Sequence, residues 1–458
     1  MQIIRNILVA NRGEIARRVI RTARKMGILT FAIYTDEEKD ALFVKEADQS
    51  FSLGTGSLSE TYLNISRIIN IAKENHCDAI HPGYGFLSEN ALFAKACHDA
   101  GIIFIGPKPE AIQLMGNKNE ARSYVRQLGV PLPLSITGNS AEEILEQSSL
   151  LKFPLMIKAV AGGGGKGMRI IHTREELPAA LEAAGREAGS YFGNADLYVE
   201  QYIEDARHIE VQILGDSSGN IVHLFERECS VQRRHQKIIE EAPSPTLTPE
   251  IRKKLLDTAV NIAKSMHYTS AGTIEFLFDR ELNFYFLEMN TRIQVEHPVT
   301  EAITGIDIVL EQIRVAMGLP LSVRQDNIFM NGHAMEVRIY AEDPFSGFLP
   351  SAGEMILNHL PDSPGVRLDS AFTGAARVSS SFDPMIAKIT VHSGNRKDAI
   401  VKMRKYLGEC AIHGIKTNLE YLYWIFEEED FSSNQISTRY CENKAELLKN
   451  LNLSFRKK

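Results

Sequence analysis

Glu275 and Glu288 stand on either side of a predicted β-hairpin whose loop falls at 280–283. With Asp279 paired to Phe284, each step back along the ladder brings Glu275 opposite Glu288. Two carboxylates directly opposed repel and cost stability, unless a divalent cation sits between them. Asn290 is two residues on from Glu288 and shares its face. Two carboxylates and an amide, with no Cys or His, are hard oxygen donors suited to Mg²⁺ or Mn²⁺ shared with nucleotide phosphates. Two solvent-facing glutamates on an exposed sheet are the plainer alternative. Past Glu288 the even positions continue as Asn290, Arg292, Gln294 and Glu296, alternating with Met289, Thr291, Ile293, Val295 and His297. An extended segment of this pattern packs one face and presents acids, amides and a guanidinium on the other. Arg292 offers a bidentate fork for a planar, carboxylate-like anion. Glu296 is a general-base candidate if burial raises its pKa.

Ala161 to Met168 is a glycine run (Gly162, Gly163, Gly164, Gly165, Gly167) with Lys166 inside it. It is not a phosphate loop of the Walker type, because Val160 stands where the first Gly is required and Gly167 where Ser or Thr is required. It reads either as a hairpin tip or as a flap whose bare N–H groups close over phosphates, with Lys158 reaching the same phosphates. Gln232 to Lys237 stacks Arg233, Arg234 and Lys237 around His235. That is a solvated basic loop or, in an acidic chain, the local cluster an anion needs. Glu336, Arg338 and Tyr340 share one strand face, yet Arg338 taken alone reads as a surface charge. So does Lys118 on its spacing.

These residues need elements to hold them. The first 110 residues alternate strands (Ile7–Ala10, Leu29–Tyr34, Ala79–Ile80, Ile102–Ile105) with amphipathic helices over Glu14–Met26 and 62–74, which predicts βαβ units and a parallel sheet. Ligands of such sheets sit beyond the strand C-termini, where Asn11–Glu14 and His81–Asn90 fall. From about 120 the pattern becomes α+β with two sheets. Strands at Lys152–Val160 and Gly167–Ile171 flank the glycine run, 174–188 is helical, and hairpins turn at Asp216–Asn220 and within Thr273–Glu288. Short strands follow Arg324, and a helix covers Asp398–Gly408.

Composition narrows the class. Hydrophobic residues at 44% and charged residues at 24% describe a globular chain rather than a disordered one. A net charge of −7 gives no general field for nucleic acid or an anionic membrane. The longest stretch free of Asp, Glu, Lys and Arg, Gln127–Ala141, contains two prolines and cannot span a bilayer. The Ile7–Ala10 run is too short for a signal-peptide core. Five scattered cysteines without a CxxC pair predict reduced thiols and a cytoplasmic enzyme.

Taken together, the segments resemble the biotin carboxylase family of the ATP-grasp superfamily. The strings that carry the resemblance are Ile7–Ala16, His81–Asn90 (HPGYGFLSEN), Cys229–Lys237 (CSVQRRHQK), Glu288–Pro298 (EMNTRIQVEHP) and Gly414–Asn418, spread over nearly the whole chain. The resemblance implies an N-terminal parallel α/β domain (1–115), an ATP-grasp domain (116–330) with a glycine-flap lid near 131–203, a small C-terminal domain (331–446) and a tail (447–458). It implies MgATP- and bicarbonate-dependent carboxylation of biotin through carboxyphosphate. ATP would be held by Lys118, Lys158, Gly163, Gly164, Gly165, Glu200, Gln201, Ile203, His208, Gln232 and His235, and two Mg²⁺ or Mn²⁺ ions by Glu275, Glu288 and Asn290. Bicarbonate would be held by Lys237, Arg292, Gln294 and Val295. Glu296 would deprotonate it, and Arg338 would bind biotin and stabilise its enolate. The implied partners are a biotin carboxyl carrier protein or domain, a carboxyltransferase subunit and a second copy of the chain, in a homodimer involving Arg18, Arg21 and Arg367.

Gln201 departs from the basic residue usual after the hinge glutamate, and Ala161 and Lys166 vary the flap. Lys166, Phe225-Glu226-Arg227 and Met385-Ile386-Ala387-Lys388 lean toward the methylcrotonyl- or propionyl-CoA branch, with acetyl-CoA or pyruvate as other final acceptors. No lysine is flanked by methionines, so biotin is a substrate brought on a carrier, not a group attached to these residues. Another ATP-grasp ligase with a different acceptor is the alternative. A non-catalytic nucleotide module would be expected to lack Glu296, Arg292 or a metal ligand, and all are present.

Overall fold

The computed structural model describes residues 2–137, 141–159, 168–192, 196–445 and 447. The glycine run Ala161–Gly167, including Gly163, Gly164 and Gly165, and the tail from Leu448 lie outside the described residues. Among the described residues no helix is long and apolar enough to cross a membrane.

The chain opens with β1 (Asn6–Val9), α1 (Gly13–Lys25), β2 (Leu29–Tyr34), β3 (Gln49–Ser52), α2 (Ile65–Glu74), β4 (Ala79–His81) and β5 (Ile103–Phe104). Their order, β3-β2-β1-β4-β5, is a five-stranded sheet whose pairs are all parallel. Ile7, Leu8 and Val9 are wholly buried because α1 covers one face and α2 the other. Such two-sided burial is why the strands read as unbroken apolar runs. α2 starts at Ile65 rather than 62, because the Asn64 side chain accepts from Arg67 N at 3.0 Å and caps the helix there. β3, a polar edge strand with no apolar run, was not legible in the sequence.

The middle of the chain adds α3 (Lys118–Gln127), then a four-stranded antiparallel lid sheet from β6 (Ser135–Thr137), β7 (Leu155–Ala159), β8 (Arg169–Ile171) and β9 (Leu197–Gln201), with α4 (Leu177–Phe192) against it. Then come β10 (Arg207–Gly215), β11 (Ile221–Arg233), β12 (Gln236–Ala242), α5 (Pro249–Ser265), β13 (Ser270–Phe278), β14 (Phe284–Asn290) and α6 (His297–Thr304). The last third contributes β15 (His333–Tyr340), β16 (Val366–Ser370), β17 (Met385–Ser393) and α7 (Arg396–Glu409). Strands of the middle and last thirds form one eight-stranded antiparallel sheet, ordered β14-β13-β10-β11-β12-β15-β17-β16. The division expected at 330 therefore cuts through a continuous sheet, joined by the β12–β15 ladder. Long-range pairing of this kind leaves no local mark on the sequence.

Candidate active site

Register places one row of charge across four strands of the large sheet. Arg227 on β11 faces Glu210 on β10, Glu210 faces Glu275 on β13, and Glu275 faces Glu288 on β14. The Glu275–Glu288 pairing occurs, but not through the register expected. Phe278, not Asp279, lies opposite Phe284, and Phe276 lies opposite Phe286. The ladder then slips by one residue at Leu287, a β-bulge that restores Glu275 to Glu288. The bulge is needed because Phe284 and Phe286 share sequence parity with Glu288 and Asn290. Without it the glutamate would enter the core that holds the two phenylalanines.

Three adjacent carboxylates in a row would repel. Lys237 at the start of β12 reaches into them, with Nζ at 2.5 Å from Glu210, 3.0 Å from Glu275 and 2.7 Å from Glu296, and at 3.3 Å from Gln294 Oε1. Burial works against the Lys237 charge, but the three carboxylates outweigh it and hold its pKa well above the usual range. Burial likewise pushes Glu275 up, and Lys237 and His208 outweigh it and hold the carboxyl well below its ordinary value. His208 Nε2 lies 2.7 Å from Glu275, and its Nδ1 lies 2.9 Å from Gln232 Nε2. Behind the row, the wholly buried Arg227 donates to Glu210 at 2.6 Å, and to Gln212, Thr273 and Thr300.

The even-position pattern beyond Glu288 comes from no continued strand, which is a correction: β14 ends at Asn290. Arg292 turns back. Its Nη2 donates to Asn290 Oδ1 at 2.7 Å and its Nε to Glu89 at 2.7 Å. Glu89 also accepts from Thr291 N. The His81–Asn90 loop thus acts from the N-terminal domain by aiming Arg292. Gly83 in this loop has φ +64°, and a Cβ there would lie 3.0 Å from Asn11 Nδ2, so the turn requires glycine.

Glu296 sits just before α6, buried, 2.7 Å from Lys237 and 2.9 Å from Arg338. Burial favours its protonated form, yet Lys237, Arg338 and Arg227 outweigh burial and pull the pKa below the ordinary carboxylate value. The expected raised pKa is therefore corrected. Glu296 is an ionised acceptor held by cations, and its basicity rests on position. Arg338 is no surface charge: it is 8% exposed, clamped between Glu240 (Nε at 2.6 Å) and Glu296.

The basic segment divides. Arg234 and His235 both take left-handed backbone in the β11–β12 turn, with φ 48° and 62°. Arg233 is withdrawn to Glu342 and the Tyr340 ring, Arg234 is exposed, and of the four basic residues Lys237 and His235 line the cleft, beside Gln232 and Gln236. The expected cluster of three cations is thus one cation. Of the arginines named for a dimer, Arg18 is buried against Glu301 and Asp307. Arg21 and Arg367 keep 44% and 34% of their side chains exposed.

A cleft of about 470 Å³ lies between the lid and the large sheet. Lys118 at the head of α3, Lys158, Gln201, Ile203, His208, Gln232, His235, Val295, Glu296 and Arg338 line it, with Met156, Met168, Ile170, Leu277 and Leu287 as its apolar wall. Glu200 does not present a free carboxylate. It pairs with Lys158 and, at 3.1 Å, with Arg122, so it holds the lysine in place. Burial lowers the Lys118 pKa, offset in part by Glu288.

The residues fit a divalent cation. Burial raises the Glu288 pKa, and the facing Glu275 raises it further. A hard cation between the two would remove that penalty. Asn290 Nδ2 donates to Glu275 at 2.7 Å, and its Oδ1 accepts from Arg292.

Sequence reasoning missed Glu210, Arg227, Glu240, Lys388, Glu89 and Glu14. Glu210 and Gln212 alternate with the apolar Ile209, Val211 and Ile213, yet both are wholly buried, and alternation by itself does not mark a polar face as buried. Wholly buried Lys388 pairs with Glu14 at 3.3 Å and donates to Val295 O, linking the Asn11–Glu14 loop to the Val295 backbone. No spacing signal joins positions so far apart.

A nucleotide-sized cleft between a small antiparallel lid and a sheet edge bearing opposed carboxylates, with Lys118 and Lys158 in its lining, defines an ATP-grasp ligase. Three family models match: the biotin carboxylase N-terminal domain over 3–112, the carbamoyl-phosphate synthase L chain ATP-binding domain over 117–324, and the biotin carboxylase C-terminal domain over 336–443. The chain is 46% identical over 442 residues to biotin carboxylase 1 of Bacillus subtilis, covering 96% of this chain and 98% of that protein. It is 46% identical over 440 residues to the mitochondrial methylcrotonoyl-CoA carboxylase subunit alpha of Rattus norvegicus, covering 95% of this chain and 62% of that one. The biotin carboxylase domain dimer of Hydrogenobacter thermophilus 2-oxoglutarate carboxylase, crystallised with MgADP, ADP and bicarbonate, superposes with TM-score 0.94 at 45% identity, covering 97% of this chain and 98% of that one. The chain belongs to the biotin carboxylase family. It is an ATP-dependent carboxylase.

Proposed function

We propose that the cleft carboxylates biotin presented by a carrier protein or domain, with bicarbonate and ATP as co-substrates. The observation that carries this reading is the ionised Glu296 held within hydrogen-bond reach of both Lys237 and Arg338. Bicarbonate, a planar anion, takes Lys237, the Arg292 fork, Gln294 and the Val295 backbone. Glu296 accepts its proton, and the freed oxygen attacks the γ-phosphorus, breaking its bond to the β,γ-bridging oxygen, to give carboxyphosphate and ADP. Lys118 and Lys158 carry phosphate charge, while Gln201, Ile203, His208, Gln232 and His235 surround the nucleoside. Glu275, Glu288 and Asn290 are our metal ligands; Mg²⁺ or Mn²⁺ there supplies charge neutralisation between phosphates. Carboxyphosphate then breaks into CO₂ and phosphate, the phosphate takes the ureido N–H proton, and Arg338 meets the ureido oxygen as biotin becomes the enolate whose nitrogen captures CO₂.

We divide the chain at 115 and 330, assign the carboxyltransferase and a second copy of the chain as partners, and place the reaction in the cytoplasm, where five free thiols persist. The sequence departures at Lys166, Phe225–Arg227 and Met385–Lys388 favour an acyl-CoA of the methylcrotonyl or propionyl kind as final acceptor over acetyl-CoA or pyruvate. The test is ATP turnover measured with and without bicarbonate and free biotin. The expected result is bicarbonate-dependent hydrolysis that biotin stimulates. Turnover indifferent to bicarbonate would sink the reading.

A further inference from the structure

Glu240 and Glu336 are directly opposed on the β12–β15 ladder, and neither is accessible to solvent. Each leaves one carboxylate oxygen, Glu240 Oε2 and Glu336 Oε1, without a hydrogen-bond partner. Their other oxygens are engaged. Glu336 Oε2 accepts from Thr390 at 2.7 Å, and Glu240 Oε1 takes both Nε and Nη2 of Arg338, at 2.6 and 2.5 Å. Arg338 therefore sits on a single oxygen of Glu240, although a guanidinium and a free carboxylate favour the two-oxygen fork. Something withholds Oε2.

We propose that Glu240 and Glu336 share one proton between their two unpartnered oxygens, and that this singly charged pair positions Arg338 for the biotin half-reaction. A carboxyl group donating to the facing carboxylate satisfies both oxygens at once and removes the repulsion of two opposed anions. It also leaves only Oε1 for Arg338, whose Nη2 remains on Glu296. The surroundings agree. Burial raises Glu240 to about 7, and burial raises Glu336 to about 8. Such a pair titrates as a unit. The charged groups that face it are Arg338 on β15, Lys388 on β17, Lys237 on β12 and Glu296 before α6, with Cys229 on β11. Packed above, α6 carries His297, kept neutral by burial and by Lys388, Arg18 and Arg367, and Glu301, already paired with Arg18 and Arg367. Loss of the shared proton as pH rises frees Oε2, lets Glu240 take Arg338 in the fork, and draws it off Glu296 and the biotin oxygen. The positioning half rests on the enolate reading of Arg338.

Two measurements on the full chain test this. Infrared difference spectra across a pH titration should show a carboxylic acid C=O band, lost in Glu336→Gln and in Glu240→Gln. No such band in the wild type, or a band unchanged in both variants, overturns the shared proton. Biotin carboxylation should fall on the alkaline side while bicarbonate-dependent ATPase without biotin holds. Glu336→Gln should flatten that limb. Thr390→Val, which removes a donor to the anion, should move it to higher pH with the fold intact. A limb identical to wild type in both variants overturns the positioning role. Unchanged biotin carboxylation in Arg338→Gln would defeat the enolate reading and the positioning role together, and leaves the infrared result to judge the proton alone.

Discussion

β1 and β11 are both central strands, wholly surrounded by neighbours, and they are filled with opposite chemistry. Ile7, Leu8 and Val9 of β1 sit in apolar clusters with side chains of α1, α2 and other strands. Arg227 of β11, equally inaccessible, is fixed by four polar partners. Burying each β1 side chain stabilises the fold by about 1.5–3 kcal/mol. Burying Arg227 with Glu210 costs several kcal/mol of desolvation per ion, which their attraction barely repays. The large sheet thus holds its charge at the expense of stability, and the parallel sheet supplies rigid apolar support. The two sheets share an apolar cluster, in which Leu214, Val222, Leu224 and Ala271 pack with Ile7, Val9 and α1, and the polar contacts Glu89 to Arg292 and Glu14 to Lys388 join them at the site.

Substitutions can break this contrast, starting with the largest expected effect. Glu288→Lys places a cation where a divalent ion would bind and should take ATP turnover below detection, with thermal unfolding little changed because Glu288 is half-buried at the sheet edge. Full activity in a folded variant would remove Glu288 from the metal site. Arg338→Gln should cost on the order of 10²–10³ in biotin carboxylation, as removal of one charge-stabilising donor does. Bicarbonate-dependent ATPase without biotin should fall far less, since Glu296 keeps Lys237. Equal losses in the two assays would make Arg338 a nucleotide or fold residue. Leu8→Ala in the parallel sheet should have the smallest effect on turnover. Denaturant titration should show about 2–5 kcal/mol of lost stability, and kcat per folded molecule should stay at the wild-type value. A kcat that fell with stability would show that the parallel sheet positions the site as well as supporting the fold.

The site was legible wherever its residues were neighbours in sequence. Asn290, Arg292, Gln294 and Glu296 stand out because polar side chains recur where a core strand would place apolar ones. Their geometry was not legible, because the segment leaves the sheet after Asn290 and Arg292 folds back onto a loop from another domain. The Glu275–Glu288 pairing was deduced from a regular hairpin, whereas the structure reaches it through the Leu287 bulge. Nothing in the alternation marks that bulge except the conflict of parity between Phe286 and Glu288.

By itself the sequence determined the parallel sheet, since two-sided burial demands continuous apolar runs separated by amphipathic helices. It also determined which residue types are present to meet metal, phosphate and bicarbonate. Only the tertiary structure decided which charges meet. Lys237 joins Glu210, Glu275 and Glu296, and Arg338 joins Glu240 and Glu296, because strands remote in the chain become neighbours in one sheet. Local periodicity reports which face of a strand a side chain takes. Strand order reports its partner across the sheet, and that order comes from packing the whole chain around its cores. The same cause set the ionisation of the site. Glu296 lies in a buried place that would by itself raise its pKa, and the cations brought by β11, β12 and β15 reverse the sign.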